Sequence, residues 1–412
     1  MSVETIEKSA TKLNLNKSEW KIVKFGDVAL KQNESVDRET TELKRYIAGE
    51  HMNSEDLHLR KWGEIGDDYL GPAFTRKFSV GDILYGSRRT YLKKVAVADF
   101  DGITANTTFV IKANEEMIEK SLLPFIMLSE GFTQHSIRNS KGSVNPYINW
   151  KDIANYEFLL PPKDQQAKLA ELLWAADSQV ESLSIVSAKL EAHMLSVAKE
   201  LFTGRIRLPN TSSEFADSSL GLIPANWQVK KVENISKVIR GSSPRPKGDP
   251  RYYGGKIPRL MGADVTRDGK FVTPQIDSLT EEGAKLSRPM PAGTLVMICS
   301  GNVGLSSILA VDCCIHDGFI AFPEIAHECN RDFLYYTFNS QLFRLFQNAT
   351  HGGVFTNLTT SIIKKFEIVI PPREEQDFIC SEVTELERRI YSTKTAITRS
   401  KQLKKSLINQ IF

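Results

Sequence analysis

Apolar residues recur at alternating three- and four-residue steps from Leu169 to Leu201, and the same spacing returns from Ile379 to Ile411. In the first stretch Leu169, Ala176, Leu183, Leu190 and Val197 form one heptad series, and Leu173, Val180, Met194 and Leu201 form the series four residues on. That spacing predicts a long helix with a coiled-coil seam. In the second stretch Ile379, Leu386 and Leu407 continue one series, and Val383, Ile390, Ile397 and Ile411 the other. Thr393, Ser400 and Lys404 interrupt it, so its C-terminal half is expected to pack more weakly. Both helices start after a Pro-Pro pair, in LLPPKDQQ from Leu159 and IVIPPREEQ from Ile368; proline suits a first turn because it has no N–H to lose there. The first helix should stop at Thr203-Gly204, where glycine can take the left-handed cap conformation. With an offset of 210 (Pro161 to Pro371), Gln166 falls on Gln376, Asp177 on Glu387 and Phe202 on Phe412, without a gap. About 40 residues at 1.5 Å each give a rod of roughly 60 Å. A helical hairpin inside one domain is the alternative to two rods that pack on each other.

Ahead of each helix the pattern changes to short β-type runs mixed with helical windows such as PFIMLSEGFTQHSIRN and DFLYYTFNSQLFRLFQN, which predicts an α+β domain. The two segments open alike (WKIVKFGDVA, WQVKKVENIS) and share a central apolar stretch (GDILYGSRRTYLKKVAVAD, GTLVMICSGNVGLSSILAVD). They also close alike, KGSVNPYINWKDIANYEFLL against HGGVFTNLTTSIIKKFEIVI, with little identity. The expected organisation is an N-terminal segment 1–19, a globular domain 20–160, a helix 161–203, a Ser-, Pro- and Gly-rich linker 204–226, a second globular domain 227–370 and a second helix 371–412. The repeat predicts a pseudo-twofold molecule with the helices antiparallel, the domains at opposite ends and Met1 near Phe412.

A chain of 412 residues exceeds what one hydrophobic core usually organises. Hydrophobic content of 41% and charged content of 25% describe an ordinary soluble protein. No apolar run of about eighteen residues could span a bilayer, and MSVETIEKSATKLNLNK lacks the apolar core of a signal peptide. A cytoplasmic location without membrane contact is expected. The five cysteines, Cys299, Cys313, Cys314, Cys329 and Cys380, form no CxxC pair, so buried reduced thiols are expected rather than disulfides or a zinc site. A net charge of +3 identifies no partner. Between Trp227 and Met290, however, 13 Lys and Arg face 7 Asp and Glu, and a local excess of that kind suits a polyanion as well as a solvated face.

No phosphate-binding GxxxxGK[ST], no GxGxxG after a strand, no HExxH and no GxSxG occurs, so the common catalytic signatures are missing. Asn145-Pro146-Tyr147 is similar to the Asn-Pro-Pro-Tyr turn with which amino-methyltransferases hold a flipped base, but the second proline is absent and a plain turn is the better reading. His316-Asp317 beside Cys313 and Cys314 makes a poor nucleophile and base, because adjacent strand positions face opposite ways. More informative are basic and aromatic residues gathered in Gly- and Pro-rich loops. Arg240, Ser242, Arg245, Lys247, Arg251, Tyr252 and Lys256 lie in RGSSPRPKGDPRYYGGK, and Arg88, Arg89, Tyr91, Lys93 and Lys94 form a comparable group. Lys and Arg neutralise phosphates, Arg and Lys read guanine edges, and Asn reads adenine. Asn145, Asn302 and Asn357 therefore join the candidates for DNA contact.

Two variable domains parted by a long helix, a second such helix, PPxxxQ at each helix start, LFTGRIRL after the first and GLIPANWQVKKV before the second domain resemble, jointly, the specificity subunit of type I restriction-modification systems. GSSPRPKGDPRYYGGKIPRLMGADV and RYIAGEHMNSEDLHLRKWG are similar to openings of that family's target-recognition domains. The resemblance covers nearly the whole chain. It implies a subunit without a reaction of its own, in which each domain reads one half of a split double-stranded DNA target. The paired helices would space the domains and dock two methylation subunits, with restriction subunits joining the complex. S-adenosylmethionine, ATP and Mg²⁺ would sit on those partners, and this chain would bind no cofactor or metal. Leu169, Leu173, Val180, Leu183, Leu190, Ile379, Val383, Leu386, Ile390 and Ile397 would form the helix seam and partner-docking face. One departure is Gln165, where the family usually has Glu; the second copy keeps it as Glu375. The rivals are a metal-dependent nuclease with scattered carboxylates and a protein-only scaffold.

Overall fold

The computed structural model describes residues 15–66, 70–352 and 355–412. Most of the expected N-terminal segment, residues 1–14, lies outside the described residues, as do Gly353 and Val354 in the closing segment of the second domain. The chain forms two compact units, one from the residues up to Ala188 together with Ser392–Phe412, the other from Lys189–Tyr391. Each therefore takes a globular domain, part of the first long helix, Lys163–Phe202, and part of the second, Arg373–Ile411.

In unit 1, strands β1 (Lys21–Lys24), β2 (Ala29–Gln32), β3 (Arg45–Ile47), β4 (Gly63–Glu64), β5 (Phe74–Phe78), β6 (Ile83–Gly86), β7 (Val95–Val97), β8 (Gly102–Ala105), β9 (Thr108–Ala113) and β10 (Glu157–Leu160) make two four-stranded sheets, β2-β9-β6-β7 and β4-β3-β8-β5, and the pair β1-β10. The central strands are apolar throughout because both their faces are covered. Ile83, Tyr85, Val95, Phe109 and Ile111 point into a core with Phe125, Phe132, Leu169, Leu173, Leu407 and Ile411. Their neighbours Leu84, Ala96 and Val110 point the other way, onto Ile47 and Phe78 of the second sheet. Period-two alternation thus builds three layers: helices, sheet, sheet.

The strands of unit 2 begin with a hairpin, β11 (Phe215–Ser218) and β12 (Gly221–Pro224), within the segment expected as a linker. There follow β13 (Gln228–Lys231), β14 (Ile239–Arg240), β15 (Tyr253–Leu260), β16 (Phe271–Val272), β17 (Asp277–Leu279), β18 (Arg288–Met290), β19 (Leu295–Ile298), β20 (Ser306–Leu309), β21 (Cys313–Ile315), β22 (Phe319–Phe322), β23 (Thr350–Gly352), β24 (Phe355–Asn357) and β25 (Glu367–Ile370). The sheets are β14-β22-β19-β20-β16 and β17-β15-β21-β18, with β13 paired to β25. Apart from β16 and the two hairpins, this is the order of unit 1 strand for strand. The layering repeats as well: Leu295, Met297, Ile308 and Ile320 face the core with Leu201, Ile379 and Val383, while Val296, Ile298, Leu309 and Phe319 face the second sheet.

The repeated PPxxxQ motif is a clamp. Gln166 is buried, donating from Nε2 to the carbonyl of Pro161 (2.9 Å) and accepting at Oε1 from Glu119 N (2.6 Å). Gln376 donates to Pro371 (2.8 Å) and Glu328 (2.8 Å) and accepts from Asn330 N (2.7 Å). Both glutamines satisfy buried carbonyl and N–H groups at the place where a strand turns into a long helix. Gly204 ends the first helix at φ +71°. A Cβ there would lie 2.2 Å from Pro224 Cγ, so only glycine permits this close approach.

Candidate nucleic-acid interface

The stretch after β6 is held from below by Ser87, whose N and Oγ both donate to the Thr107 carbonyl (3.0 and 2.7 Å). Ile148 N in turn donates to Ser87 O (2.9 Å). Arg89 is left-handed, φ +49°, a conformation that costs a residue with a Cβ roughly 1–2 kcal/mol. It is maintained by Arg89 N on Pro146 O (2.7 Å) and Arg89 Nε on Asn145 Oδ1 (3.1 Å). Arg88 forms an isolated β-bridge with Tyr147. Arg88, Arg89 and Asn145, distant in sequence, therefore meet around a cleft of about 300 Å³ that Gly49, Glu50 and Thr107 complete. Tyr91 is exposed, and Lys94 Nζ donates to the Gly49 carbonyl.

Lys93 requires correction. It is 8% exposed, with its ammonium 2.9 Å from Glu130 Oε2 and 3.4 Å from Glu55 Oε1. Its own backbone is left-handed, φ +48°, and its ammonium is held by carboxylates of the same unit.

Unit 2 repeats these hydrogen bonds with other residues. Cys299 N donates to Gly318 O (2.8 Å) and Leu358 N to Cys299 O (2.9 Å), matching Ser87, Thr107 and Ile148. Arg240 is exposed and donates from Nε to Asp317 O (2.9 Å). Ser242 donates from Oγ to Leu286 O (3.1 Å). Arg245 Nη2 lies 3.2 Å from Asp317 Oδ2, and Lys247 is exposed. Arg251 pairs with Asp249 (2.8 Å) and covers the Tyr252 ring at 5.2 Å. Asn302 is exposed in the turn after β19, whereas Asn357 is half-buried at the end of β24 and bridges Ser300. The structure thus gathers Arg240, Arg245 and Asp317 at one place, and gives Ser242 and Asn357 structural partners.

The thiols and the half-buried His316 present no catalytic arrangement. Burial pushes Cys313 up to about 12 and Cys299 up to about 11. His316 is held below its ordinary value by burial and by Arg259, and its Nδ1 accepts from Gly318 N (2.9 Å). Among the described residues no three His, Cys, Asp or Glu side chains converge as a metal set, and no helix is long and apolar enough to cross a membrane.

Sequence reasoning missed the polar contacts that tie each domain to the long helices. In unit 1 the buried Asp177 accepts from His58 Nε2 (2.7 Å) and Lys404 Nζ (2.9 Å), while Arg60 grips Glu181. In unit 2 the buried Glu375 takes Arg207 (2.6 and 2.8 Å), Asn226 (3.1 Å) and Trp227 Nε1 (3.2 Å). Gln165 accepts from Trp20 Nε1 in the same way (3.2 Å). Lys404 sits on a heptad position and Asp177 on the repeat, the one signal that could have exposed such a pair.

The family model for the type I restriction modification DNA specificity domain matches residues 17–192 and again 224–402. The HindI type I restriction enzyme specificity subunit of Haemophilus influenzae is 22% identical over 87% of this chain and 91% of its own length. The putative MjaX specificity subunit of Methanocaldococcus jannaschii is 22% identical over 88% and 85%. Among solved structures, a chain from a study of type I R-M complex assembly and conformational transition superposes with a TM-score of 0.63 at 20% identity, over 95% of this chain and 97% of that one. The HsdS subunit from Thermoanaerobacter tengcongensis gives 0.52 at 19%, over 98% and 99%. At these identities the structural likeness establishes the two-domain α+β fold.

Proposed function

Starting from the fact that this chain belongs to the type I restriction modification DNA specificity family, and so serves as a DNA-recognising specificity subunit, we propose that unit 1 and unit 2 each read one half of a two-part double-stranded target. One observation carries the reading: three segments (after β6, in the β8–β9 turn and before Ile148 in unit 1; after β19, in the β21–β22 turn and before Leu358 in unit 2) are presented twice on the same strand order, joined by the same two backbone hydrogen bonds and carrying different side chains. In unit 2 the loop 240–251 lies against the second of them through Asp317. Shared backbone with unlike tips is what two different half-sites demand of one fold, since base edges are told apart by side chains and position is fixed by the scaffold. Arg88, Arg89 and Asn145 serve the first half; Arg240, Arg245, Lys247, Arg251 and Asn302 serve the second.

The duplicated helix starts give two methylation subunits equivalent places to dock, and restriction subunits join through that assembly. The half-buried Leu183 and Leu190 and the exposed Ile185, Val186 and Leu195 supply apolar area for such contacts. The chain carries no reaction. S-adenosylmethionine, ATP and Mg²⁺ belong to its partners, and the complex works in the cytoplasm on the host's DNA. Methylation mapping in cells carrying the assembled system tests this: a two-part motif is expected, and Arg89→Ala should relax one half only. A continuous motif, or relaxation of both halves together, would overturn the assignment of one unit to one half.

A further inference from the structure

An acidic residue stands at the centre of the basic loop of unit 2. Asp317 lies in the turn between β21 and β22. Its carboxylate accepts from Ser243 Oγ (2.6 Å) and from Arg245 Nη2 (3.2 Å), and its carbonyl accepts from Arg240 Nε (2.9 Å). The loop must run close to this turn: a Cβ on Gly241 would lie 2.1 Å from His316 O. Beneath the cluster is Arg259, only 5% exposed, which donates from Nη2 to Ser243 Oγ (3.0 Å), pairs with Asp277 and lies against the Tyr253 ring at 5.4 Å. Tyr253 donates its hydroxyl to Pro244 O (2.9 Å). A polar strut therefore runs from a buried arginine through Ser243 and Asp317 to two exposed arginines.

A carboxylate on a surface that meets phosphates repels the polyanion, so it adds nothing to bulk affinity. It can contribute orientation. Arg245 side-chain exposure is 70%; a free arginine would have to be ordered on binding, and a pre-aimed one loses less freedom. One guanidinium edge on Asp317 leaves other donors of the planar fork for the O6 and N7 of a guanine. Unit 1 lacks the device: the matching turn position holds the uncharged Asn106, and Asn145 orients Arg89 instead.

We propose that Asp317 is a positioning residue that sets the base preference of unit 2 by aiming Arg245, with Arg240 held on the same turn. The inference rests on the DNA-reading role assigned above. To test it, the complex assembled with its methylation subunits is titrated with a duplex carrying the mapped two-part motif, and with the same duplex scrambled in the half assigned to unit 2. Asp317→Asn is expected to lower the ratio of the two affinities by roughly tenfold, the discrimination typical of one well-placed side chain on a base edge. Binding to the scrambled duplex should stay the same or tighten, because a negative charge is gone. On an Arg245→Ala background the same substitution should change the ratio little. Equal weakening on both duplexes would show a merely structural role and overturn the proposal. So would an unchanged ratio for Asp317→Asn where Arg245→Ala lowers it. If Arg240→Ala and Arg245→Ala both leave the ratio intact, the DNA-reading assignment of the loop itself fails. Should Asp317→Asn not assemble, Asp317→Glu, which shifts the carboxylate by one methylene, must lower the ratio for the proposal to stand.

Discussion

The buried Asp177 shows how a single residue couples a recognition domain to a helix. Burial alone would raise its pKa, but hydrogen bonds from His58 and Lys404 and the charge of Lys404 outweigh burial and hold it below the ordinary carboxylate range. His58 moves the opposite way, raised chiefly by its hydrogen bond to Asp177 against the cost of desolvation. A histidine with a raised folded pKa stabilises fully below its unfolded value of 6.5, and that contribution is lost as pH rises through the higher folded value. Asp177, being depressed, loses its contribution only on acidification and stays constant across the same window. Melting of unit 1 should therefore shift downward as pH rises above about 6.5, and His58→Gln should flatten the shift. An equal slope in wild type and variant would show that His58 does not report on this contact. Lys404 and Asp177 were legible only as a residue that breaks a heptad and as a member of the repeat. Nothing in local pattern says that a lysine on the apolar face has an aspartate waiting for it. Lys93 misled for a related reason, because its direction depends on left-handed φ at Arg89 and Lys93, which neither residue type announces.

At the level of elements, the long helices were the most readable part of the chain. Period and the PPxxxQ pair located them at Lys163–Phe202 and Arg373–Ile411, since a seam of many residues averages out local ambiguity. Burial along them is uneven in a way the heptads did not distinguish. Leu169, Leu173, Ile379, Val383, Leu386 and Ile390 are buried, whereas Val180, Leu183, Leu190 and Ile397 are half-buried. The interruptions at Ser400 and Lys404 are buried too, so the seam continues through them with polar groups. Leu173→Ala should cost ~2–5 kcal/mol, because a fully enclosed side chain leaves a cavity. Leu183→Ala should cost visibly less in the isolated chain and show its larger effect on assembly with methylation subunits. Urea midpoints and pull-down of those subunits separate the two. Equal loss of stability from both variants would mean that Leu183 belongs to the core and that the half-buried stretch is no docking face. The sheets were far less readable: strands of two to eight residues carry little period, and β6, β19 and β22 are apolar on both faces, which erases the alternation that marks a strand. The strand-for-strand match of the two units therefore lay hidden behind low identity, visible in sequence only at the openings, the glycine-started centres and the closing turns.

For the whole molecule, the decisive fact is that each unit completes its core with pieces of both long helices. Leu169 and Leu173 share a cluster with Leu407, Ile408 and Ile411; Leu201 shares another with Ile379 and Val383. The domains are consequently replaceable cassettes only where a cut leaves those helix contacts intact. The strand pairs β1-β10 and β13-β25 mark such cuts, because each closes its domain at the base: Lys21 opposite Leu160, and Gln228 opposite Ile370. Everything that differs between the reading ends lies inside these pairs, and the glutamine clamps at Gln166 and Gln376 lie just outside them. Exchange of residues 227 to 370 for the matching segment of a relative should then preserve assembly, keep the half of the motif proposed for unit 1, and replace the other half with the relative's. The side chains that must fit the foreign segment are few and identifiable: Leu201, Gln376, Ile379 and Val383 in the core, and Glu387, which accepts from Tyr336 (2.6 Å). A chimera that assembles but methylates nothing would point to a mismatch at Tyr336 and Glu387, repairable by restoring the tyrosine. A chimera in which both halves changed, or neither did, would mean that recognition is not divided between the units, and the correspondence of one fold copy to one half-site would have to be given up.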